Sequence, residues 1–470
     1  MAHDSTERIV STLRAWVESA PPGARLPSSR ALMAEHGASP VTVQKAMHAL
    51  AALGLIESRP GVGTFVKAAH RAGPVDYGWQ TVVLGPPRAR VPGLSATQRT
   101  AAPDAIGLHS GYPAPELLPT RLVRAAIARA ARTDDAVLRA PATGLPALQA
   151  WFAAQLAETT PAGIAQPTAR DVLILSGSQS GLTSIFRALV GAGRPLLIES
   201  PTYWGAIIAA EQAGVVLVPI ATGPDGPDPE EVDRVVAQTG ARAFYVQPTY
   251  ANPTGAQWTE ERSAAILEIA RRRGVFLIED DWAHDLAIDR DPRPLAARDD
   301  DGHVIHLRSL TKSVSPALRV AALVARGPAR ERILADRAAA SMYVSPLLQS
   351  AALDVVTQPA WTAHLRALRP RLRERRDLLI HSLRQHAPST TVDLTPVGGL
   401  NLWVRLAEGV DPDVVAQRCA ARGVMVAAGS EWFPAEAAGS YLRLNFSGPD
   451  PQRFPEATRI LGEELALLER

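Results

Sequence analysis

The sequence predicts an α/β protein preceded by a separate, mainly helical region, and three observations support this. A chain of 470 residues exceeds what one hydrophobic core usually organises, so two or three domains are expected. After residue 104, short apolar runs alternate with helical stretches, which is typical of crossover units around a mostly parallel sheet. The region before residue 70 instead shows helical periodicity followed by a Gly-rich hairpin pattern.

Composition describes an ordinary globular protein. Hydrophobic residues make up 46% and charged residues 20%, and a formal net charge of +2 argues neither for nor against a polyanionic partner. Cys419 is the single cysteine, which excludes an intramolecular disulfide and fits a reducing compartment. The start, "MAHDSTERIV", has no basic segment leading into an apolar run, and no apolar run approaches the length of a membrane helix. We therefore expect a cytoplasmic protein.

The amino-terminal region has the order helix, helix–turn–helix, hairpin. "STERIVSTLRAWVESA" predicts a first helix with Ser5 or Thr6 as N-cap, and "RALMAEHG" predicts a second. "ASPVTVQKAMHALAALG" predicts a third helix, with Ser39 as N-cap and Pro40 at the first helical position. "LIESRPGVGTFVKA" predicts two short strands around a turn. This is the order of a winged helix-turn-helix, which lays one helix into the major groove of DNA.

The stretch "RLPSSRALMAEHGASPVTVQKAMHALAALGLIESRPGVGTFV" resembles the GntR family of bacterial regulators along almost its whole length. The resemblance implies binding to double-stranded operator DNA. Pro40 and Gln44 stand where many relatives carry Arg, which suggests a different operator. A helical domain with a solvated charged surface is the alternative, and the region's charge balance does not reject it. The residues that the resemblance places on DNA or in the wing are Arg30, Thr42, Gln44, Lys45, Arg59, Gly61 and Gly63.

Residues 70–103, "HRAGPVDYGWQTVVLGPPRARVPGLSATQRTAAP", predict a linker rich in Pro, Gly and Arg. Its prolines favour an extended tether, although its arginines could also contact DNA phosphates. Only "WQTVVLG" is compatible with a short strand. We therefore expect a DNA-binding domain at 1–69, a linker at 70–103 and a large domain at 104–470.

Polar residues follow five of the predicted strands of the large domain, at the edge where such sheets bind ligands. In the order of the chain, these residues provide a helix N-terminus suited to phosphate, an aromatic ring, an amide, a carboxylate and an amine. These residues are Ser178 and Gln179 after "VLIL", Tyr203 after "LLIES", Asn252 after "AFYVQP", Asp280 and Asp281 after "VFLIE", and Ser309, Thr311 and Lys312 at the end of "VIHLRS".

Lys312, in "SLTKSVSPALRV", is the only lysine after residue 104; the chain's other two are Lys45 and Lys67. Pyridoxal 5'-phosphate (PLP) needs an amine for a Schiff base, an acid against its pyridine nitrogen, a stacking ring and a phosphate seat. Arginine cannot replace this amine because a guanidinium stays protonated. A stray surface lysine is the alternative, which the accompanying residues disfavour. The sequence therefore predicts a PLP site and no metal.

Residues 104–470 resemble fold type I aminotransferases through "SGSQSGL", "ESPTYWG", "NPTG", "IEDD", "SLTKSVSPALR" and "YLRLNFSG". The resemblance implies a PLP-dependent transferase fold. It further implies that Tyr203 stacks on the cofactor ring, Asn252 bonds the phenolic oxygen, and Asp280 pairs with the pyridine nitrogen. The implied phosphate ligands are Ser178, Gln179, Ser309, Thr311 and Arg319, and the implied residues at a ligand's carboxylate are Arg443 and Gly111.

The chain departs from this family at two positions where tyrosines are usual. Trp282 and Ala283 stand where a tyrosine commonly helps to hold the phenolic oxygen. Arg139 stands near the position of a tyrosine that crosses the dimer to the phosphate. These departures put efficient transamination in doubt, but not covalent attachment of the cofactor.

A GntR domain joined to an aminotransferase-like domain resembles the MocR subfamily of transcription regulators. The resemblance implies a head-to-tail homodimer with little or no turnover. In it, PLP or a small amine or amino acid acts through the Lys312 aldimine to change operator affinity. The main alternative is a working aminotransferase with an appended DNA-binding domain. A sensor of PLP itself and a dimerisation scaffold without cofactor are two others, and retention of Lys312, Asp280 and Asn252 argues against the scaffold.

Overall fold

The computed structural model of the protein describes residues 2–67, 78–84, 95–102 and 104–468. The chain divides into two compact units, Met1–Arg88 and Ala89–Arg470. The predicted linker, residues 70–103, lies largely outside the described residues. Its extended character and the predicted domain boundaries therefore stay predictions.

Residues 2–67 of the amino-terminal unit form three helices and a hairpin in the predicted order. Ile9, Leu32 and Leu50, one from each helix, are fully buried in its core. The third helix begins as predicted, because the Ser39 Oγ accepts a hydrogen bond from the Thr42 N–H at 3.2 Å. The strands pair antiparallel, which gives the winged helix-turn-helix arrangement. The elements are α1 (Ala2–Ser19), α2 (Ser29–His36), α3 (Pro40–Ala52), β1 (Ile56–Arg59) and β2 (Gly63–Val66).

Two local predictions in this unit are wrong. Helix α1 begins at Ala2, so Ser5 and Thr6 lie inside the helix rather than at its N-cap. The run "WQTVVLG", predicted as a strand, instead forms most of helix α4 (Gly78–Leu84). So short an apolar run has no periodicity that separates a buried strand from a helix. Pairing with another strand would decide it, and none of the described strands pairs with this run.

The large unit alternates strands and helices, as predicted for crossover units. Several helices begin and end at sequence-encoded caps: the Thr259 Oγ1 accepts from the Arg262 N–H at 3.2 Å, and Gly274 ends the same helix with φ 68°. In chain order the elements are β3 (Ile106–Gly107), α5 (Thr120–Ala130), α6 (Pro146–Ala157), β4 (Val172–Leu175), α7 (Ser178–Ile185), β5 (Pro195–Ser200), α8 (Trp204–Ala213), β6 (Val216–Gly223), β7 (Gly226–Pro227), α9 (Pro229–Thr239), β8 (Ala243–Val246), α10 (Glu260–Arg273), β9 (Phe276–Asp281), β10 (Val304–Ser309), β11 (Ala321–Val324), α11 (Gly327–Ser341), α12 (Pro346–Val356), α13 (Pro359–His386), β12 (Asn401–Arg405), α14 (Pro412–Ala421), β13 (Val424–Met425), β14 (Ala427–Ala428), β15 (Tyr441–Asn445) and α15 (Phe454–Leu468).

An eight-stranded sheet has the strand order β4-β11-β10-β9-β8-β5-β6-β7. Strands β10, β9, β8, β5 and β6 run parallel, whereas β11 is antiparallel to both of its neighbours. The predicted mostly parallel sheet is confirmed. Because Leu307 pairs with Asp280 and Leu277 pairs with Phe244, the carboxyl ends of β10, β9 and β8 lie side by side.

Helices cover both faces of this sheet. Leu196 and Ile198 of β5 pack with α7 and α8 on one face, and Leu197 between them packs with α9 and α10 on the other. Strands buried on both faces are apolar at most consecutive positions, which is why these segments appear as nearly continuous apolar runs in the sequence. The polar residues that follow them therefore mark the edge of the sheet.

A smaller, antiparallel sheet has the order β12-β15-β14 and packs against α13, α14 and α15. Leu402, Leu444 and Phe454 are fully buried in this second core. A short parallel pair joins β3 to β13, so that Ile106 lies beside Val424. Within the described ranges, no helix combines the length and the apolar character needed to cross a membrane.

Candidate functional site

A cavity of about 740 Å³ lies at the carboxyl ends of β4, β5, β8, β9 and β10. This is the edge at which open α/β sheets bind ligands. The structure brings together at this cavity every residue predicted for the cofactor and for a ligand's carboxylate. They are Gly111, Ser178, Gln179, Tyr203, Asn252, Asp280, Ser309, Thr311, Lys312, Arg319 and Arg443.

Asp280 is a buried carboxylate with one unused oxygen. Its Oδ2 accepts hydrogen bonds from the Tyr245 hydroxyl at 2.8 Å and from the Gln247 Nε2 at 3.2 Å. Its Oδ1 is buried and has no donor among the described residues. Burial raises the pKa of Asp280 to about 6, against the lowering effect of these two hydrogen bonds. A buried acceptor without a donor is costly, so this oxygen fits a ligand N–H such as that of a protonated pyridine.

Asp281, the neighbouring acid, is used within the fold. Its Oδ2 contacts the His284 Nδ1 at 2.5 Å and the His306 Nε2 at 3.2 Å. Burial raises the pKa of Asp281, but these two histidines outweigh that effect and bring the pKa below its usual value. Of the three acids in "IEDD", Asp280 is the one that lines the cavity.

Lys312 follows β10, and its Nζ lies 3.3 Å from the centroid of the Tyr112 ring. Burial lowers the pKa of this amine well below its usual value, Arg443 and Arg319 lower it further, and Asp280 opposes the shift. A lowered pKa leaves more of the amine unprotonated at neutral pH, which is the form that attacks a carbonyl. The local environment therefore suits the chemistry predicted for Lys312.

Arg319 lies against the amino-terminal end of α7. Its Nη2 is 3.5 Å from the Ser176 carbonyl oxygen, and a Cβ built on Gly177 would lie only 2.4 Å from that Nη2. Gly177 also has φ 97°, a conformation that favours glycine. The free N–H groups of the first turn and a guanidinium thus face one seat, which suits an anion such as phosphate.

Two hydroxyl residues complete this seat. The Ser309 Oγ accepts a hydrogen bond from the Thr311 N–H at 3.1 Å, and the buried Thr311 Oγ1 has no partner among the described residues. Gln179 differs, because its Nε2 donates to the Gly205 carbonyl oxygen at 2.6 Å. Its predicted contribution to a phosphate would therefore come from its backbone N–H at the start of α7.

Replacing Gly177 with alanine is expected to weaken PLP binding roughly ten- to a hundredfold, the equivalent of losing one hydrogen bond to a charged group, about 1.5–3 kcal/mol. The new methyl group displaces the Arg319 guanidinium. Gly191→Ala is the matched control, because Gly191 also has a positive φ of 86° but no atom within 4 Å of the added Cβ. Absorbance titration with PLP measures the effect, and equal affinities for the two variants would contradict the assigned role of Arg319.

Arg443 is a buried cation on β15, with a side chain 2% exposed. Its Nε donates to the Asn252 Oδ1 at 3.2 Å and its Nη1 to the His109 carbonyl oxygen at 3.1 Å. None of the described carboxylates lies within ion-pairing distance of it. Burial lowers the pKa of Arg443 to about 9, while Tyr203 and Glu431 oppose the shift, so that it stays charged at neutral pH. A buried guanidinium without a counter-ion fits a ligand carboxylate.

Gly111 lies between the amine and the guanidinium. A Cβ at this position would be 3.5 Å from the Arg443 Nη2 and 3.7 Å from the Lys312 Nζ. The absence of a side chain therefore leaves room for a ligand that reaches both groups.

Gln247 is a site residue that the sequence reasoning missed. Besides donating to Asp280, it accepts a hydrogen bond from the Asn252 backbone N–H through its Oε1 at 3.0 Å. It thereby fixes both the acid and the turn that carries Asn252. Its position directly after β8, in "YVQPTYANPTG", was the available signal, because polar residues at strand ends line this cavity.

Two of the remaining aromatic residues, Tyr203 and Trp282, line the cavity. Tyr203 precedes α8 and lines the cavity. Trp282 also lines it, with its Nε1 donating to the Tyr250 carbonyl oxygen at 3.0 Å, while Ala283 is buried in the core. Arg139 is exposed and does not line the cavity of this chain.

The residues predicted to contact DNA lie on the surface of the amino-terminal unit. Arg30, Gln44, Lys45, Arg59 and Gly61 are exposed, and Thr42 and Gly63 are half-buried. Two of them have partners within the unit. The Thr42 Oγ1 is 2.8 Å from the Ser39 Oγ, and the Arg59 Nε donates to Glu57 at 3.0 Å. To contact DNA, Thr42 and Arg59 would have to replace these internal interactions with interactions to DNA.

Family models match both parts of the chain. The model for aminotransferase class I and II matches residues 103–461, and the model for bacterial regulatory proteins of the gntR family matches residues 5–66. The first match covers more than half of the chain. Membership of the aminotransferase family implies PLP as the cofactor, and the gntR domain implies DNA binding.

Proteins similar to this chain include two regulators and one aminotransferase of known structure. The probable rhizopine catabolism regulatory protein MocR of Rhizobium meliloti is 28% identical over 457 residues, covering 95% of this chain and 90% of that protein. The uncharacterized HTH-type transcriptional regulator YjiR of Escherichia coli is 29% identical over 465 residues, covering 94% of each. The crystal structure of LysN, an α-aminoadipate aminotransferase from Thermus thermophilus complexed with N-(5'-phosphopyridoxyl)-L-leucine, is 26% identical, with a TM-score of 0.72 over 80% of this chain and 96% of that one.

These matches agree with the fold, the cavity and the order of the two units. The chain therefore belongs to the aminotransferase class I and II family, and its additional gntR domain makes it a transcription regulator with the domain composition of the MocR subfamily.

Proposed function

We propose that the large unit of this regulator senses PLP, or a small amine or amino acid, at Lys312 and thereby changes the affinity of the gntR domain for operator DNA. One observation carries this proposal. Three groups converge on one cavity: the Lys312 amine with a lowered pKa, an Asp280 oxygen that has no donor among the described residues, and the Arg443 guanidinium, which has no carboxylate partner among them. Each of these groups lacks the partner that PLP and an amino acid would bring.

The residues present fit the cofactor. Bound here, PLP would supply a carbonyl that reacts with amines and a ring that withdraws electrons. Asp280 would keep a proton on the pyridine nitrogen through its unused oxygen, and Asn252 would donate to the phenolic oxygen. Tyr203 would cover one face of the ring. The phosphate would lie at the start of α7 against Ser178, Ser309, Thr311 and Arg319.

Arg443 would select ligands that carry a carboxylate. A guanidinium binds a carboxylate through two parallel hydrogen bonds, and burial strengthens them. With Lys312 and Arg443 on either side of Gly111, an amino acid could meet both groups at once. Ligands with an amine but no carboxylate would use the Lys312 side alone.

In the amino-terminal unit, α3 is the helix that we expect in the major groove, with Gln44 and Lys45 on its exposed side. Arg30 on α2 and Arg59 on the hairpin would contact phosphates. A homodimer of head-to-tail arrangement would present two such units to the two halves of an operator. A ligand that prefers one arrangement then shifts operator affinity, and DNA shifts ligand affinity by the same factor.

A gel-shift titration on the DNA upstream of its own gene tests the proposal with apoprotein, PLP-loaded protein, and loaded protein plus a panel of amines and amino acids. We expect at least one condition to change operator affinity by about fivefold or more. Arg30→Ala should weaken binding under every condition. Arg14→Ala, an exposed arginine 3.5 Å from Glu18 on α1, is its matched control. Equal affinity under all ligand conditions would refute sensing, and unchanged binding by Arg30→Ala would refute the assigned DNA contact.

A working aminotransferase is the second candidate. The retained set Lys312, Asp280, Asn252 and Arg443, together with 26% identity to a solved aminotransferase, supports it. It requires multiple turnovers with an amino donor and a keto acid, largely unaffected by deletion of residues 1–70. A single turnover that stops after the amino group has been transferred would favour the regulator.

A further inference from the structure

A short segment at the start of the large unit lines the same cavity. Residues 95–99, called the strap here, contain one helical turn, Ala96–Gln98. Ser95 and Thr97 are only 4% and 8% exposed, and with Gln98 they line the cavity beside Lys312 and Arg443. A ligand in the cavity therefore lies against the strap. In the sequence, the strap is the first described segment of the large unit, so it follows the chain that leads from the amino-terminal unit.

Two anchors hold the strap. At its start, one carboxylate accepts two hydrogen bonds: the Ser95 hydroxyl donates to the Glu431 Oε2 at 2.5 Å, and the Ala96 N–H donates to the Glu431 Oε1 at 3.2 Å. At its end, the His109 Nε2 donates to the Arg99 carbonyl oxygen at 2.8 Å. Hydrogen bonds to a charged carboxylate are roughly twice as strong as neutral ones, so Glu431 is the stronger anchor.

Both anchors also adjoin Arg443. The His109 carbonyl oxygen accepts from the Arg443 Nη1, and Trp432, next to Glu431 in the turn Gly429–Trp432, has its ring centroid 5.3 Å from the Arg443 guanidinium. Burial lowers the pKa of Arg443, and the Glu431 carboxylate is one of the groups that oppose this shift. The group that would grip a ligand's carboxylate is thus linked by contact to both ends of the strap.

We propose that the strap reports whether a carboxylate occupies Arg443, with Glu431 as the residue that converts ligand charge into strap release. A ligand carboxylate at Arg443 repels the Glu431 carboxylate, because Glu431 directly precedes Trp432, whose ring contacts Arg443, and like charges in a partly buried site disfavour each other. The hydrogen bonds to Ser95 and Ala96 weaken, and the segment leading to the amino-terminal unit is freed. This inference rests on the proposed function, and adds the route by which a ligand acts.

Two stable probes separate the carboxylate from the rest of the ligand. Apoprotein is loaded with N-(5'-phosphopyridoxyl)-L-alanine or with N-(5'-phosphopyridoxyl)-ethylamine, which differ only in the carboxylate. Hydrogen–deuterium exchange of a peptide covering residues 95–102 is then measured. Its amides at Ala96, Thr97, Gln98 and Arg99 are all hydrogen-bonded in the strap. We expect exchange about fivefold or more faster with the alanine adduct.

Glu431→Gln removes the charge and should reduce the difference between the two adducts to less than about twofold, both in exchange and in operator affinity. Glu436→Gln, an exposed acid in the same stretch, is the matched control and should keep the full difference. Ser95→Ala gives a second test that leaves every charge in place. It should speed exchange with the ethylamine adduct towards the rate seen with the alanine adduct.

The outcomes distinguish this inference from the proposed function. If both adducts bind and the strap exchanges equally, or more slowly with the alanine adduct, the strap inference is wrong while cofactor binding stands. If neither adduct binds, the proposed cofactor site is wrong, and the strap inference falls with it. If Glu431→Gln keeps the parent's difference, Glu431 is not the residue that responds to the ligand.

Discussion

Replacing Lys312 with alanine is expected to abolish covalent attachment of PLP. Borohydride reduction of the loaded parent, followed by digestion, should give one labelled peptide containing residue 312, and the variant should give only background. Lys312→Arg should behave like the alanine variant, because a guanidinium stays protonated and is a poor nucleophile. Any response of operator affinity to amines should disappear with the label.

Lys45→Ala and Lys67→Ala are the controls, since these are the chain's only other lysines. Both should keep the labelled peptide at Lys312. A parent that carries label at Lys45 or Lys67 instead, or no label at all, would contradict the assignment.

Loss of fold should not account for the loss of label. Burial lowers the pKa of Lys312, so the folded protein binds fewer protons than the unfolded one between that lowered pKa and the ordinary value of about 10.4. Stability of the apoprotein therefore rises with pH through this window. Lys312→Ala removes that slope and should be at least as stable as the parent at neutral pH. Thermal unfolding at several pH values measures this.

Arg443→Met is expected to weaken ligands that carry a carboxylate by about 2–5 kcal/mol, or roughly thirty- to several thousandfold, the range for truncating one partner of a buried charge pair. An amino acid and the amine left after its decarboxylation, such as L-alanine and ethylamine, should be titrated in parallel against the PLP-loaded protein. The amine should bind both proteins alike, because only the carboxylate meets Arg443.

Arg405→Met provides the matched control for this variant. Arg405 lies on the neighbouring strand β12, but it is exposed and its Nε donates to Asp393 at 2.9 Å. It should leave both titrations unchanged. Equal losses for the amino acid and the amine in Arg443→Met would mean that the substitution damages the cavity as a whole.

Most of the candidate cofactor residues could be predicted because they lie at or just after the carboxyl end of a strand that is buried on both faces. Continuous apolar runs mark such strands, and the carboxyl ends of parallel strands meet at one edge, so Asn252, Asp280 and Lys312 converge without knowledge of strand order. The N-cap at Ser39 was predictable because it is local: its hydrogen-bond partner, Thr42, is only three positions away.

Other features depend on parts of the chain that are far apart. The contact between Ser95 and Glu431 joins residues 336 positions apart, and no local pattern in "PGLSATQRT" indicates it. The contact of Gln247 with Asp280 depends on the pairing of two neighbouring strands, which the sequence alone does not show. The residues "WQTVVL" form a helix rather than the predicted strand, because a short apolar run does not determine its own secondary structure.

Lys312 and Arg443, the two groups proposed to meet a ligand, belong to different sheets. Lys312 and Arg319 lie in a single connection closed by the antiparallel pair Ser309 and Ala321 of the eight-stranded sheet, whereas Arg443 lies on the central strand of the three-stranded sheet. Under the proposed function, mutations in the second sheet would therefore change which ligand is bound, while Lys312 and Arg319 stay in place on the first. Related proteins built on this framework would then differ in the ligand that they bind and share one cofactor.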